Sequence, residues 1–227
     1  MDHKVAHAPR ESAPGDLSAG AHSSYFEHLA ATLAEYFEVH TVLDIGCSTG
    51  CFVLAFQDLD IKAYGVDKSR AASLNVPKQL EDQMYCLDVT RDELPFDDEK
   101  FDLITMSEVL EHLTDFQVAL SEIKRVLKIS GHIFLTTPSM PGADTFVNVL
   151  GLHRLRNPDH INVHAKHFWI KLFESYGLKY LGDFPRSEHM RALAAMSRSR
   201  FRRLMVKVYS IPVVPSLHSR LIFQKRM

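Results

Sequence analysis

The chain has 227 residues, of which 46% are hydrophobic and 24% charged, a composition typical of one globular, enzyme-sized domain. This composition excludes collagen, a coiled coil and a disordered chain. No apolar run reaches the roughly 18–20 residues of a membrane-spanning helix, so we expect a soluble, cytoplasmic protein. Three cysteines, Cys47, Cys51 and Cys86, are too few for a disulfide framework and are expected to be free thiols.

Charge is unevenly distributed along the chain. Residues 186–227 carry ten basic side chains and one acidic side chain, a net charge of +9, against −11 for the rest. A basic segment of this kind either packs on an acidic body, faces water, or binds an anionic group. We expect residues 186–218, and the Pro-, Gly- and His-rich residues 140–165, to be insertions that help to cover an acceptor site.

Strands and helices alternate along most of the chain. Residues 1–22 have no apolar periodicity and are expected to form a mobile arm, with a helix starting at Ser23 or Ser24. Helices are predicted at 52–57, 69–74, from 114 onward, and at 166–176. Strands are predicted at 41–46, 62–67, 84–89, 101–107, 132–139, 178–184 and 219–226. This alternation predicts an α/β fold with a mostly parallel sheet.

The strongest motif is VLDIGCSTG at 42–50, a buried strand that runs through a glycine turn into a helix. Such a turn lets backbone N–H groups approach a ligand. Ser48 stands where a dinucleotide fingerprint has glycine, and the carboxylate of Asp44 would repel a pyrophosphate. An NAD-dependent dehydrogenase is therefore the weakest reading, and a cationic ligand is favoured. Asp67 ends the second strand, where it suits a ribose diol, and Asp88 ends the third, where it suits an adenine amine.

Together with YGVDKS, CLDV and FDLITMSEVLEHL, this motif resembles those of the Rossmann-like, S-adenosylmethionine-dependent methyltransferases, over about residues 23–184 and the last strand. The resemblance implies a seven-stranded, mostly parallel sheet with an antiparallel last strand and helices on both faces. It implies S-adenosylmethionine as the cofactor. The residues that it places against the cofactor are Asp44, Gly46, Cys47, Gly50, Asp67, Lys68, Asp88, Val89 and Ser107. Many members of the family have glycine where this chain has Ser48, and a serine is tolerated there if its backbone angle is ordinary.

Candidate catalytic residues follow the fourth strand. An alcohol or amine acceptor sheds a proton when it is methylated, and an imidazole is the natural base near neutral pH. His112 is the first candidate, followed by His164 and His167. If SEVLEHL is helical, Glu108, Glu111 and His112 share one face.

Two alternatives use the same residues differently. Enzymes that methylate the terminal ribose of small RNAs bind a divalent ion with a similar motif, and here Glu108, Glu111, His112 and a later histidine, His160 or His164, would be the ligands. The other alternative is a partner protein that binds the cofactor without turnover. We expect no metal, and instead expect transfer of a methyl group to an O or N atom of a small-molecule or sugar-containing acceptor, anionic or glycan-linked. We do not expect nucleic acid as a partner, and the sequence predicts no particular oligomeric state.

Overall fold

The fold is described by a computed structural model, which covers residues 17–138, 160–185 and 218–226, with side chains from residue 24 onward and without that of His218. Its helices are α1 (Leu17–Phe37), α2 (Cys51–Gln57), α3 (Arg70–Ser73), α4 (Phe116–Val126) and α5 (Lys166–Ser175), with 3₁₀ turns at Lys78–Gln83 and Leu110–His112. Its strands are β1 (Thr41–Ile45), β2 (Lys62–Asp67), β3 (Met84–Cys86), β4 (Phe101–Ser107), β5 (Leu127–Pro138), β6 (Leu178–Asp183) and β7 (His218–Lys225).

The described strands form one seven-stranded sheet in the order β3-β2-β1-β4-β5-β7-β6. Strands β1 to β5 are parallel to one another, and β7 is antiparallel to both β5 and β6. The predicted α/β fold with an antiparallel last strand is confirmed. Because the first five strands run in the same direction, their carboxyl ends meet at one edge, where open α/β sheets bind ligands.

Both faces of the sheet are covered, as a parallel sheet requires. Helices α1 and α2 bury Leu29, Leu33, Phe52 and Phe56 against one face, where Val42, Leu103 and Phe134 also lie. Helices α4 and α5 bury Leu120, Ile123, Trp169 and Phe173 against the other, beside Leu43, Ile104 and Leu135. None of the described helices is both long enough and apolar enough to cross a bilayer.

Three predicted boundaries were wrong by three residues or more. Helix α1 begins at Leu17 rather than at Ser23 or Ser24, so the predicted arm overlaps its first turns. Strand β3 stops at Cys86 because the next residues form a turn, in which the Asp88 carboxylate accepts hydrogen bonds from the Thr90 N–H and hydroxyl. Strand β5 begins at Leu127, five residues before its predicted start at 132, because helix α4 runs directly into it.

The predicted covering segments lie largely outside the described residues. Of the segment 140–165, the structure describes only 160–165, and of the basic segment 186–218 only the backbone of the last residue. Their predicted role in covering a site therefore stays a prediction.

Candidate functional site

A cavity of about 440 Å³ opens at the carboxyl edge of the parallel strands. Strands β1 and β2, the turn after β3, the segment after β4 and Ile161 contribute its walls. A volume of this size falls in the range of small-molecule and cofactor sites. Its lining residues are Ile45, Gly46, Val66, Asp67, Lys68, Leu87, Asp88, Val89, Glu108, Val109, His112, Leu113 and Ile161.

The turn after β1 brings backbone to the cavity wall. Gly46 has φ +76°, and its N–H donates to the carbonyl oxygen of Val66 at 2.8 Å. A Cβ at Gly46 would lie 2.3 Å from Cγ2 of Val109, which excludes any larger residue without movement of that wall. Gly50 has φ +86° and precedes α2. The left-handed backbone therefore favours glycine at both positions, and at Gly46 the approach of Val109 adds a steric reason.

Ser48 also has a left-handed backbone, with φ +50°, so the ordinary angle that would favour serine there is not present. The turn nevertheless keeps its contact with β2, because the Ser48 N–H donates to Oδ2 of Asp67 at 2.8 Å. The other oxygen of Asp67 accepts a hydrogen bond of 2.7 Å from the Ser69 N–H. Two backbone donors thus fix the Asp67 carboxylate at the cavity wall.

Asp88 and Val89 line the cavity beside Asp67. Burial opposes ionisation of Asp88, but hydrogen bonds from Thr90 and the nearby charge of Arg91 hold its pKa below the usual value. The side chain is therefore an anionic hydrogen-bond acceptor at the cavity rim, the character that recognition of an amine requires.

Four of the predicted cofactor residues do not line the cavity: Asp44, Cys47, Gly50 and Ser107. Asp44 is buried, and its Oδ1 accepts a hydrogen bond of 2.7 Å from the Thr105 hydroxyl. Burial, helped by the charge of Asp67 and opposed by Thr105, raises its pKa to about 7. The Cys47 side chain packs into the core, where burial raises the thiol pKa and makes the group unreactive. Gly50 also lies outside the lining.

His112 is the predicted catalytic histidine that the structure brings to the cavity. His164 instead stacks on Phe168, with ring centroids 3.9 Å apart, and His167 is exposed on α5. Ser107, the last residue of β4, does not line the cavity, and its Oγ is buried without a hydrogen-bond partner within the described part of the chain.

The residues after β4 do not form the predicted α-helical face. A 3₁₀ turn spans Leu110–His112, and the carbonyl oxygen of Glu111 accepts hydrogen bonds of 2.9 and 3.0 Å from the N–H groups of Ile161 and Asn162. The Asn162 side-chain amide also donates to the Leu113 carbonyl. These contacts take the backbone acceptors that a continuing helix would use.

Glu111, His112 and His160 meet beside this turn. One ligand atom from each lies within 4.8 Å of the other two, and the His112 and His160 ring centroids are 4.8 Å apart. Glu111 is buried, with Oε2 accepting from the Thr137 hydroxyl at 3.1 Å. One carboxylate and two imidazoles can hold a divalent transition-metal ion. The group includes His160 in place of His164, and Glu108 is not part of it.

Sequence reasoning missed the apolar wall formed by Val109, Leu113 and Ile161. Val109 and Leu113 belong to the SEVLEHL motif, and reading that motif as an α-helix hid their position. No local signal marks Ile161, because it reaches the cavity through its hydrogen bond to Glu111.

The arrangement fits an elongated nucleoside ligand with a positively charged end. Asp88 and Asp67 offer carboxylates for a base amine and a ribose diol, and the backbone at Gly46 comes close enough to contact the remainder. A comparison with family models agrees: the model described as "Methyltransferase domain" matches residues 19–182. The chain therefore belongs to this methyltransferase family, and it is an enzyme with S-adenosylmethionine as its cofactor.

Three bacterial relatives illustrate the similarity. The chain is 35% identical to the "Uncharacterized methyltransferase YcgJ" of Bacillus subtilis over 65% of its own length and 60% of that relative's. It is 26% identical to a "Ubiquinone/menaquinone biosynthesis C-methyltransferase UbiE" of Xylella fastidiosa, over 86% of this chain and 80% of that relative. It is 29% identical to a "Ubiquinone biosynthesis O-methyltransferase" of Alkalilimnicola ehrlichii, over 52% of this chain and 49% of that relative. The crystal structure of YcgJ shares the fold, with a TM-score of 0.57 at 24% identity over 88% of this chain and 99% of YcgJ.

Proposed function

We propose that the protein transfers a methyl group from S-adenosylmethionine to an O or N atom of a small-molecule acceptor in the cytoplasm, with His112 as the base. The observation that carries the proposal is that His112 lines the same cavity as Gly46, Asp67 and Asp88. When bound, the cofactor supplies a methyl group already activated on a sulfonium.

The protein's own residues then have two tasks. They hold the cofactor and the acceptor in line, and His112 receives the proton that the acceptor loses. Asp67 supports the first task, because two backbone N–H groups fix its carboxylate at the wall. The proposal gives His164 and His167 no direct part, since the cavity lining does not include them.

The relatives narrow the acceptor class. One is named for C-methylation and one for O-methylation in ubiquinone biosynthesis, so both act on small molecules related to quinones. We propose a small-molecule acceptor of the size of a quinone precursor, with a hydroxyl or amine at the reacting end. A sugar-containing or anionic metabolite is the alternative acceptor. A nucleic acid is not proposed as the acceptor of this metal-free reaction.

The test is incubation with methyl-labelled S-adenosylmethionine and three acceptor sets: hydroquinones and catechols, sugar-containing metabolites, and amines. We expect label on O or N and a loss of turnover in His112→Gln of about 100-fold or more. His167→Gln, an exposed histidine on α5, is the matched control and should keep wild-type turnover. Label on carbon, or an unchanged rate in His112→Gln, would reject this proposal. Binding of S-adenosylhomocysteine without turnover on any acceptor would instead favour a non-catalytic partner protein.

A metal-assisted version of the reaction is the second candidate, favoured by the approach of Glu111, His112 and His160. In that version the three side chains would hold a divalent ion, and the acceptor could be a ribose hydroxyl, including the terminal ribose of an RNA. Titration with Mn²⁺ in a calorimeter, for the wild type and His160→Ala, tests it. Two results would support this version: stoichiometric Mn²⁺ binding that His160→Ala abolishes, and loss of activity when a chelator is added. His112 would then be a metal ligand and not the base. Absence of binding would remove this candidate.

A further inference from the structure

Glu108 has a strained backbone at the wall of the cavity. It directly follows β4 and has φ +55°, in the left-handed region that residues other than glycine rarely adopt. Such a conformation is unfavourable for an L-residue, and strained residues of this kind cluster at functional sites. The presence of glutamate rather than glycine at this position therefore indicates that the Glu108 side chain has a role.

One neighbour, Thr136 on β5, fixes both the backbone and the carboxylate of Glu108. The Glu108 N–H donates to the Thr136 carbonyl oxygen at 2.9 Å. The Thr136 hydroxyl donates to Oε1 of Glu108, also at 2.9 Å. Thr136 is buried, with 3% of its surface exposed, so it is a rigid anchor. The direction of the carboxylate is therefore set by the sheet.

The order of the strands shows which part of the cofactor Glu108 faces. The acidic residues at the ends of β2 and β3 suit the nucleoside, and the turn after β1 suits the methionine part. In S-adenosylmethionine the sulfonium joins the ribose to the methionine chain. Because β1 lies between β2 and β4, a cofactor with its nucleoside at β3 and β2 and its methionine part at the β1 turn has its sulfonium near the end of β1, next to β4. Glu108 and His112 both line the cavity beyond this point.

The charge of Glu108 also reaches beyond the cavity, to helix α1. Burial first, and the Glu108 charge second, raise the pKa of the Tyr25 phenol, while Arg220 on β7 opposes this shift. Glu108 thus lies where α1, β5 and β7 come together beside the cavity. Burial first, and the charge of Glu108 second, also raise the pKa of Glu111 to about 7.

We propose that Glu108 binds the acceptor, through a hydrogen-bond donor next to the atom that is methylated. This inference rests on the proposed function. In the reaction the S–CH₃ bond breaks as the C–O or C–N bond forms, the proton of the methylated group goes to His112, and Glu108 holds the neighbouring donor. A carboxylate and an imidazole at one end of the cavity therefore fit acceptors with two adjacent donor groups, such as a catechol, a vicinal diol or an amino alcohol.

An experiment without the acceptor tests this placement. Sinefungin is a cofactor analogue with an amine where S-adenosylmethionine has its transferable methyl group, whereas S-adenosylhomocysteine has nothing there. A carboxylate facing that position favours sinefungin. We expect the wild type to bind sinefungin about tenfold more tightly than S-adenosylhomocysteine, and Glu108→Gln and Glu108→Gly to lose that preference.

The chain offers a matched control in Glu38, which also has a left-handed backbone, with φ +48°, but lies just before β1 at the opposite end of the sheet. Glu38→Gly should raise the melting temperature by relieving backbone strain. Glu108→Gly relieves the same strain but also removes the acceptor of the buried Thr136 hydroxyl, so no net rise is expected there. Only Glu108→Gly should change the sinefungin preference. An unchanged preference in both Glu108 variants, or no preference in the wild type, would overturn the inference. If the wild type bound neither compound, the proposed function itself would fail.

Discussion

Thr105 and Asp44 lie opposite each other on β4 and β1, and the Thr105 hydroxyl donates a hydrogen bond of 2.7 Å to Oδ1 of Asp44. This contact lies inside the sheet, directly below the glycine turn that lines the cavity. Burial raises the Asp44 pKa from 3.8 to about 7, so the folded protein retains a proton that the unfolded chain loses. Asp44 consequently couples the stability of the sheet to pH.

The first prediction is that Asp44→Asn removes a pH-dependent loss of stability. Between about pH 4 and pH 7 the unfolded chain binds fewer protons at Asp44 than the folded protein, so wild-type stability falls as the pH rises. Each pKa unit corresponds to about 1.4 kcal/mol, so the effect is on the order of a few kcal/mol. Urea unfolding at about pH 5 and pH 8 measures it. Parallel pH profiles for the two proteins would contradict the assignment.

The second prediction has the opposite sign and concerns Asp102, at the other end of β4. Its carboxylate accepts hydrogen bonds from Lys128 at 2.7 Å and from the Thr41 hydroxyl at 2.8 Å. Burial opposes ionisation, but these bonds hold the pKa below its usual value. Ionised Asp102 therefore stabilises the folded protein at pH values above its pKa in the unfolded chain. This stabilisation is lost as the pH falls through its lower pKa in the folded protein.

For Asp102→Asn we expect a loss of about 1–3 kcal/mol at neutral pH and a smaller loss at about pH 3, measured by urea unfolding. S-adenosylhomocysteine affinity should stay the same, because Asp102 lies far from the cavity edge. A loss of stability that is equal at both pH values would mean that the charge of Asp102 contributes nothing.

Much of the fold follows from local sequence. The predicted bounds of β2 and β4 match the structure, because their apolar runs are flanked by residues that end a strand. The start of β5 could not be predicted, because Leu127 pairs with Phe101, which is far away in sequence. Ser130 in this stretch has φ +64°, and the sequence alone reads it as part of a loop.

The site was harder to predict than the sheet. Asp67 and Asp88 were predicted from the strand pattern, and Lys68 and Val89 from the family resemblance. All four line the cavity. His160 was chosen only as an alternative to His164, because its approach to His112 depends on hydrogen bonds from Ile161 and Asn162 to Glu111, about fifty residues earlier. Contacts between residues that are so far apart in sequence leave no periodic signal.

The third prediction separates a steric clash from backbone strain at Gly46. Gly46→Ala should destabilise the protein by more than the roughly 1–2 kcal/mol of a left-handed alanine, because its Cβ would lie 2.3 Å from Val109 Cγ2. The double variant with Val109→Ala should recover the steric part. S-adenosylhomocysteine affinity should fall in Gly46→Ala, as measured by calorimetry.

Gly182→Ala provides the control for this series. Gly182 has φ +148°, and nothing lies within 4 Å of a Cβ placed there, so this variant carries strain without a clash. We expect the loss of stability to increase from Gly182→Ala to the double variant and then to Gly46→Ala. If Gly46→Ala and the double variant were equally stable, after correction for Val109→Ala alone, the clash with Val109 would not occur in solution.

The fourth prediction concerns Ser48, the serine of the glycine turn. Because its φ of +50° suits glycine, Ser48→Gly should stabilise the folded protein by about 0.5–1 kcal/mol. The hydrogen bond from its N–H to Asp67 belongs to the backbone, so S-adenosylhomocysteine affinity should change by less than about twofold. Ser130→Gly is the matched control, since Ser130 is also exposed and left-handed, with φ +64°, but follows α4 at the far end of the sheet. Equal stabilisation of both variants would show that Ser48 carries ordinary backbone strain. A loss of cofactor affinity confined to Ser48→Gly would instead show that the serine side chain contributes to binding.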